Sequence, residues 1–248
     1  MKAWDGTYPD TIAEVMSLNS PYSLMGGWRD LGATTEGITI NRSFETEDFT
    51  VDQVSGPVDT DITGWTHSLT TNLAENTVEN RQLALIGGTI IETAPVLGTS
   101  TTTASATTAG GTILNLTEAA GFTEGQYLQV GGETYRIASV TGSAVTLTRP
   151  VTADVAAAAA VSPVTELATR RIGYGSVNDI PFYTYALISQ KKDGSLYMAV
   201  FRKCKITGDD KEQVFGAEKR VLPLGVAAYP DGSQAENENV YYEIEQVL

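Results

Sequence analysis

Residues 37–47 read GITINRSFETE and residues 65–73 read WTHSLTTNL, and these two stretches decide the fold. In the first, Ile38, Ile40 and Phe44 alternate with polar residues, which is the period-two pattern of a strand with one apolar face. The second stretch alternates in the same way. Two such stretches in succession predict neighbouring strands of one sheet.

The connection between these two strands is long. We expect residues 45–61 to form a long hairpin or a protruding loop, with Phe49–Val54 continuing as extended chain and Ser55-Gly-Pro57 breaking it. Long structured loops are usually functional, so this segment is a candidate contact surface.

Length and composition limit the classes of protein that this chain can represent. Its 248 residues allow one or two domains, and the net charge of −14 argues against a protein that holds nucleic acid by its phosphates. No apolar run approaches the ~18 residues of a membrane-spanning helix, and the opening MKAWDGTYPD lacks the apolar core of a secretory signal. Abundant Thr, Gly, Ala and Val predict an all-β chain with many turns.

Charge and composition change along the chain and predict an inserted domain. Residues 1–95 carry a net charge of −10, whereas residues 96–165 carry only −2. A Thr/Ala/Gly tract at 99–111 and an alanine run at 156–160 bracket four or five short strands, so we predict flexible hinges there and an autonomous small β-barrel or β-sandwich at 98–165. The main domain is then discontinuous, 1–97 and 166–248.

The main domain is predicted to contain one clear helix and several longer strands. The helix runs from Thr77 to Ile86, with Asn76 as N-cap and Gly87 at its end, and a weaker helix covers Asp10–Ser17. The later strands are Pro181–Gln190, Ser195–Ile206, Val221–Ala228 and Val240–Val247. The predicted fold class is therefore all-β with one flanking α-helix, a β-sandwich or barrel with an inserted small β-barrel domain.

Candidate chemical groups are few, and each has a simple structural explanation. The single His67 lies within a strand, without a nucleophile motif, and we interpret it as a core or interface residue. The single Cys204 excludes an internal disulfide and is interpreted as a strand residue. Asp59 and Asp61 do not match the spacing of a calcium-binding loop, and neither do Asp209 and Asp210. We therefore predict no catalytic residue, no metal and no cofactor.

Acidic residues are concentrated in the hairpin region. They are Glu36, Glu45, Glu47, Asp48, Asp52, Asp59 and Asp61. Two interpretations stay open: a solvated sheet face, or a surface that repels a negative partner within a Debye length of about 8–10 Å. An acidic channel wall of the second kind would let DNA pass without binding it.

Several stretches of the two outer segments are informative when they are taken in order, and they are residues 32–40, 52–59, 70–80 leading into 83–86, 180–183, 201–205 and 219–224. This series resembles the tail tube protein (major tail protein) of long-tailed, non-contractile bacteriophages. Residues 120–137 resemble small β-barrel modules of phage virion proteins. The main-domain likeness covers both outer segments of the chain.

The resemblance implies a subunit that forms hexameric rings, which stack into a tube with an acidic channel for DNA delivery. The stacking hairpin would include Phe49, Val51, Asp52, Val54, Gly56 and Pro57, and the channel wall would include Glu45, Glu47, Asp48 and Asp52. Residues 1–19 would form an arm that orders on assembly, and the insert would lie on the outer surface. The implied partners are further copies, other tail proteins at the tube ends, and DNA that passes without specific binding. The implied location is the virion, assembled in the host cytoplasm.

Other functions remain open from the sequence. A carbohydrate-binding or adhesin module would use aromatic side chains, and the candidates are Tyr127, Tyr135, Tyr229, Tyr241 and Tyr242. A tail terminator or connector protein would share the fold. A hydrolase that uses His67 ranks last.

Overall fold

The computed structural model describes residues 1–208 and 221–247, and it divides the chain into two compact units. Unit 1 comprises Met1–Ile90 and Ile172–Leu248, and unit 2 comprises Ile91–Arg171. Antiparallel sheets dominate both, and α1 (Val78–Ala84) is the single α-helix among the described residues. The predicted all-β class with one helix is confirmed.

Unit 1 contains one seven-stranded sheet. Its strands are β1 (Lys2–Ala3), β2 (Thr34–Thr50), β3 (Pro57–Leu73), β13 (Tyr183–Gln190), β14 (Leu196–Thr207), β15 (Leu222–Tyr229) and β16 (Tyr241–Glu245). The order across the sheet is β1-β13-β14-β15-β3-β2, and β16 pairs with the part of β14 that β15 leaves free.

The sheet of unit 1 has a core on each face. On one face, Phe201, Leu73 and Leu222 are buried together with Leu83 of α1. On the other face, Met198 and Val200 pack against Ile12 and Val15 of the N-terminal segment. This segment contains a short 3₁₀ turn at Ile12–Glu14 in place of the predicted helix at Asp10–Ser17. The N-terminal segment therefore contacts the sheet of its own chain through Ile12 and Val15.

The helix begins one residue later than predicted. Thr77, not Asn76, is the N-cap, and its side chain accepts the backbone N–H of Asn80. Asn76 instead accepts a hydrogen bond from the Arg81 guanidinium. At the other end the left-handed residue is Ile86 (φ 54°), while a Cβ on Gly87 would lie 2.4 Å from Ile172 Cδ1. Close packing therefore explains this glycine better than a helix-ending conformation.

Unit 2 is a small β structure with its own core, built on Leu114, Leu128, Ile137, Val145 and Val161. Its strands are β4 (Ile91–Thr93), β5 (Val96–Leu97), β6 (Thr101–Thr102), β7 (Ile113–Asn115), β8 (Tyr127–Val130), β9 (Glu133–Thr141), β10 (Ala144–Leu147), β11 (Ala160–Glu166) and β12 (Thr169–Arg171). The main sheet has the order β5-β11-β8-β9-β10-β7.

The ends of unit 2 differ from the predicted boundaries of 98 and 165. β4 pairs with β12, so the chain enters and leaves the unit through two adjacent antiparallel strands. The Thr-rich tract predicted to be a flexible hinge is ordered, since β6 pairs with β11 and Thr103 is buried. The Thr103 hydroxyl donates to the Ala156 carbonyl at 2.7 Å, which joins the two predicted hinges to each other.

Candidate functional site

The strongest candidate site is a two-stranded hairpin that extends beyond the rest of the sheet of unit 1. β2 and β3 pair along almost their whole lengths, whereas β15 pairs with β3 only as far as His67 opposite Ala228. Residues 43–66, here called the projecting hairpin, therefore have no neighbouring strand among the described residues on either side.

The register of the projecting hairpin sorts its side chains onto two faces. Residues directly opposite each other in an antiparallel pair share a face. Glu47 lies opposite Asp61 and Phe49 opposite Asp59, so Glu45, Glu47, Asp59 and Asp61 share what we call the acidic face. None of these four carboxylates takes part in an ion pair with another described residue.

The opposite face of the projecting hairpin carries three exposed apolar side chains. Phe44 lies opposite Trp65 and Thr46 opposite Ile62, and we call this the apolar face. Phe44 is 54% exposed, Trp65 47% and Ile62 53%, although each is a side chain that is usually buried. A contiguous exposed apolar surface of this kind marks an interaction site.

A β-bulge determines which side chains of this region share a face. The register shifts between Glu45 and Thr46, where β3 has one residue more than β2. Asp59 and Asp61 consequently join Glu45 and Glu47, a grouping that the sequence pattern did not give. Asp48 lies on the opposite face, where it accepts a hydrogen bond from the Thr60 hydroxyl at 2.8 Å.

The residues assigned to stacking lie at or near the tip. Phe49 is in β2 and is 59% exposed, and Pro57 begins β3. β2 ends at Thr50, so Val51, Asp52, Val54 and Gly56 form the loop, and Val51 and Val54 are not part of the extended stem that we predicted. Glu36 lies at the other end of the hairpin, in a second bulge, and accepts a hydrogen bond from Asn72.

An aromatic row connects the projecting hairpin to the core. The Phe44 and Trp65 rings are 5.0 Å apart, the Trp65 and His67 rings 6.2 Å, and the His67 and Tyr241 rings 5.8 Å. Tyr241 in turn stacks on buried Phe201 at 4.8 Å. The Arg42 guanidinium lies 4.1 Å from the centre of the Trp65 ring. These contacts fix the root of the hairpin.

His67 and Cys204 occupy structural positions. His67 is only 7% exposed, and burial, followed by the nearby positive charge of Arg42, lowers its pKa below the ordinary value. Cys204 is buried, and that burial raises the pKa of its thiol, so thiolate chemistry is disfavoured. Asp209 and Asp210 lie outside the described residues.

The tyrosines considered for sugar binding are divided between the two units, and several of them make contacts inside their own unit. Tyr127 and Tyr135 belong to unit 2, and Tyr135 is buried with its hydroxyl donating to Glu133. In unit 1, Tyr241 is held between Phe201 and His67, and Tyr242 donates to the Pro9 carbonyl. Tyr135, Tyr241 and Tyr242 are therefore engaged within their own units.

Within residues 1–208 and 221–247, no group of three or more His, Cys, Asp or Glu side chains is arranged to hold a metal ion. No helix in this part of the chain has the length and apolar character needed to cross a membrane.

Comparison with known proteins finds neither a matching family model nor a matching curated protein.

Proposed function

We propose that this chain is the repeating subunit of a bacteriophage tail tube, forming homomeric, hexameric rings that stack into a channel for DNA. The observation that carries the proposal is the projecting hairpin, because it has one acidic face, one exposed apolar face and two unpaired edges. A soluble monomer must protect such edges, whereas an assembling subunit uses them.

The two free edges are suited to ring closure. The outer edge of β2 is unpaired among the described residues, and the outer edge of β3 is unpaired between residues 57 and 66. Because β2 and β3 are antiparallel, rotation about an axis along the strands places β2 of one copy antiparallel to β3 of the next. This is a heterologous contact, which closes into a ring when the rotation permits.

The acidic face supports a DNA-repelling channel wall. In such a ring every copy presents the same face inward, and Glu45, Glu47, Asp59 and Asp61 are the charged groups on the acidic face. The single cation of residues 34–73, Arg42, belongs to the face that carries Trp65. DNA carries about one charge per 1.7 Å of axis, so cations on the wall would retain it while carboxylates keep it moving.

The apolar face and the tip then provide contacts between copies. Burying Phe44, Ile62 and Trp65 against a neighbour would remove their apolar surface from water, which is the main source of association free energy. Other tail proteins would complete the two ends of the tube, the assembled protein belongs to the virion, and no catalytic step or cofactor is required.

Electron microscopy of the purified protein with negative stain, together with its mass in solution, tests the proposal. We expect rings or tubes, and we expect deletion of residues 50–58 to leave single rings of folded protein that do not stack. Wild-type protein that forms only single rings would favour a tail terminator or connector. A monomer at every concentration would overturn the proposal and favour a binding module.

A further inference from the structure

A cavity of about 280 Å³ lies beside the ends of β2 and β3 that are farthest from the hairpin tip. We call it the basal cavity. Ile38 of β2 and Leu73 of β3 form part of its wall, and Leu24 and Trp28 of the N-terminal segment form another part. The wall is mainly apolar, so the cavity favours an apolar group over water.

One polar group in the wall has no partner. Tyr185 of β13 lines the basal cavity, it is 4% exposed, and its hydroxyl makes no hydrogen bond with any described residue. Buried hydroxyl groups are almost always hydrogen-bonded. Burial also raises the pKa of Tyr185, which keeps the group in its protonated, donating form. The ring of Tyr185 therefore belongs to the apolar wall, and its hydroxyl lies just beneath the cavity surface without a partner.

The same chain carries a suitable apolar group at the other end of the hairpin. Phe49 and Val54 at the tip are both more than half exposed. From Ile38 to Thr50, at a rise of about 3.4 Å per residue, the tip lies roughly 40 Å from the basal cavity. A single copy cannot bring the two together.

We infer that the basal cavity receives the hairpin tip of a second copy of this chain. This inference rests on the proposed function, and it identifies the receptor of the stacking hairpin. An apolar cavity of about 150 Å³ holds a benzene ring, so the Phe49 ring has room to enter. Loop carbonyl groups near Phe49 would accept a hydrogen bond from the Tyr185 hydroxyl once the side chains that cover this hydroxyl move aside. The hairpin tip and the basal cavity lie at opposite ends of β2 and β3. The contact between two copies is therefore heterologous, and it repeats along the strand direction.

The exposed apolar surface sets the strength of this contact. Phe49, Val54 and Val58 at the tip, with Tyr22, Leu24 and Ile38 in the wall of the basal cavity, are each about 40–60% exposed. Together they offer roughly 550 Å², below the ~1,200 Å² of a stable interface between two proteins. A single tip would thus bind weakly. Several tips acting together from one ring would bind far more tightly, so stacking would follow ring formation.

Crosslinking tests the contact directly. Val54→Cys at the tip is combined with Leu24→Cys at the cavity and treated with a short bis-maleimide, to which buried Cys204 should stay inert. We expect a ladder of linked chains only when both cysteines are present. Each single variant, and Val54→Cys combined with Ile113→Cys on exposed β7, should give dimers at most.

Tyr185→Phe provides a second measurement. Removing the hydroxyl should leave the melting temperature of the monomer unchanged or higher, yet raise the concentration needed for stacking about fivefold. Tubes that form without a crosslinked ladder, or an unchanged stacking concentration, would overturn the receptor assignment while leaving the tube proposal intact. Absence of any assembly, with no ladder, would overturn both.

Discussion

The Asp61→Lys variant tests which face of the projecting hairpin lines the channel, because it places a positive charge on the acidic face. Asp61 lies directly opposite Glu47, and like charges at such positions destabilise a sheet while opposite charges stabilise it, each by about 0.2–1 kcal/mol. The substitution should therefore stabilise the hairpin by about 1 kcal/mol. It also changes the charge of the acidic face from −4 to −2 in each copy.

The matched control is Asp48→Lys. It makes the same change in net charge, but on the face that carries Trp65. Both variants should still assemble. Six lysines on the channel wall of each ring can neutralise at most six phosphates, for which log K would fall against log[salt] with a slope of about −5. Because the acidic face keeps a charge of −2 in each copy and each lysine lies opposite Glu47, we expect weak duplex binding with a shallower slope. The control and the wild type should show no such binding.

Fluorescence anisotropy of a short labelled duplex, titrated with assembled protein at several salt concentrations, measures this difference. Equal DNA binding by both variants would mean that binding depends on net charge alone, and that it does not depend on which face carries the lysine. Binding by Asp48→Lys alone would place the opposite face in the channel and refute the arrangement proposed above.

Three further outcomes follow from the structure. Replacing residues 94–168 with a short Gly/Ser linker, while keeping β4 and β12, should leave unit 1 folded, as judged by near-ultraviolet circular dichroism; an unfolded product would show that unit 1 depends on unit 2. Cys204 should react with a thiol reagent only in denaturant, and rapid labelling of native protein would contradict its burial. The hydrogen bond from the Tyr8 hydroxyl, and next the hydrogen bond from the Ser233 backbone, lower the pKa of Asp231 below its unfolded value of about 3.9. The wild type should therefore lose stability below about pH 4 more steeply than Asp231→Asn does, as measured by urea titrations across that range.

Strand positions were readable from the sequence because apolar side chains on one face of a strand produce period-two alternation. β2 follows the pattern from Ile38 to Phe44 and β3 follows it from Trp65 to Leu73, and β13 and β14 overlap the predicted strands Pro181–Gln190 and Ser195–Ile206. Alternation could not reveal the bulge beside Glu45, since an extra residue in β3 depends on pairing and not on local composition. That bulge decides which acids share a face.

Low complexity was a poor guide to mobility. The tract at 99–111 contains the small polar residues typical of linkers, yet Thr103 is buried and donates to Ala156. The Thr103 hydroxyl finds this backbone carbonyl only after folding has brought the two distant segments at 99–111 and 156–160 together. The basal cavity was hidden for the same reason, because residues from the N-terminal segment, β2, β3, β13 and β15 form its wall.

The attachment of the hairpin to the sheet has a mechanical consequence. β15 holds β3 through seven consecutive register pairs, from Leu222 opposite Leu73 to Ala228 opposite His67. A force along the hairpin runs parallel to the strands and nearly perpendicular to their hydrogen bonds, so the seven pairs are loaded in shear together. They would yield as a set, whereas a force across the strands would open them one after another. The hairpin is thus anchored to resist tension along its own axis.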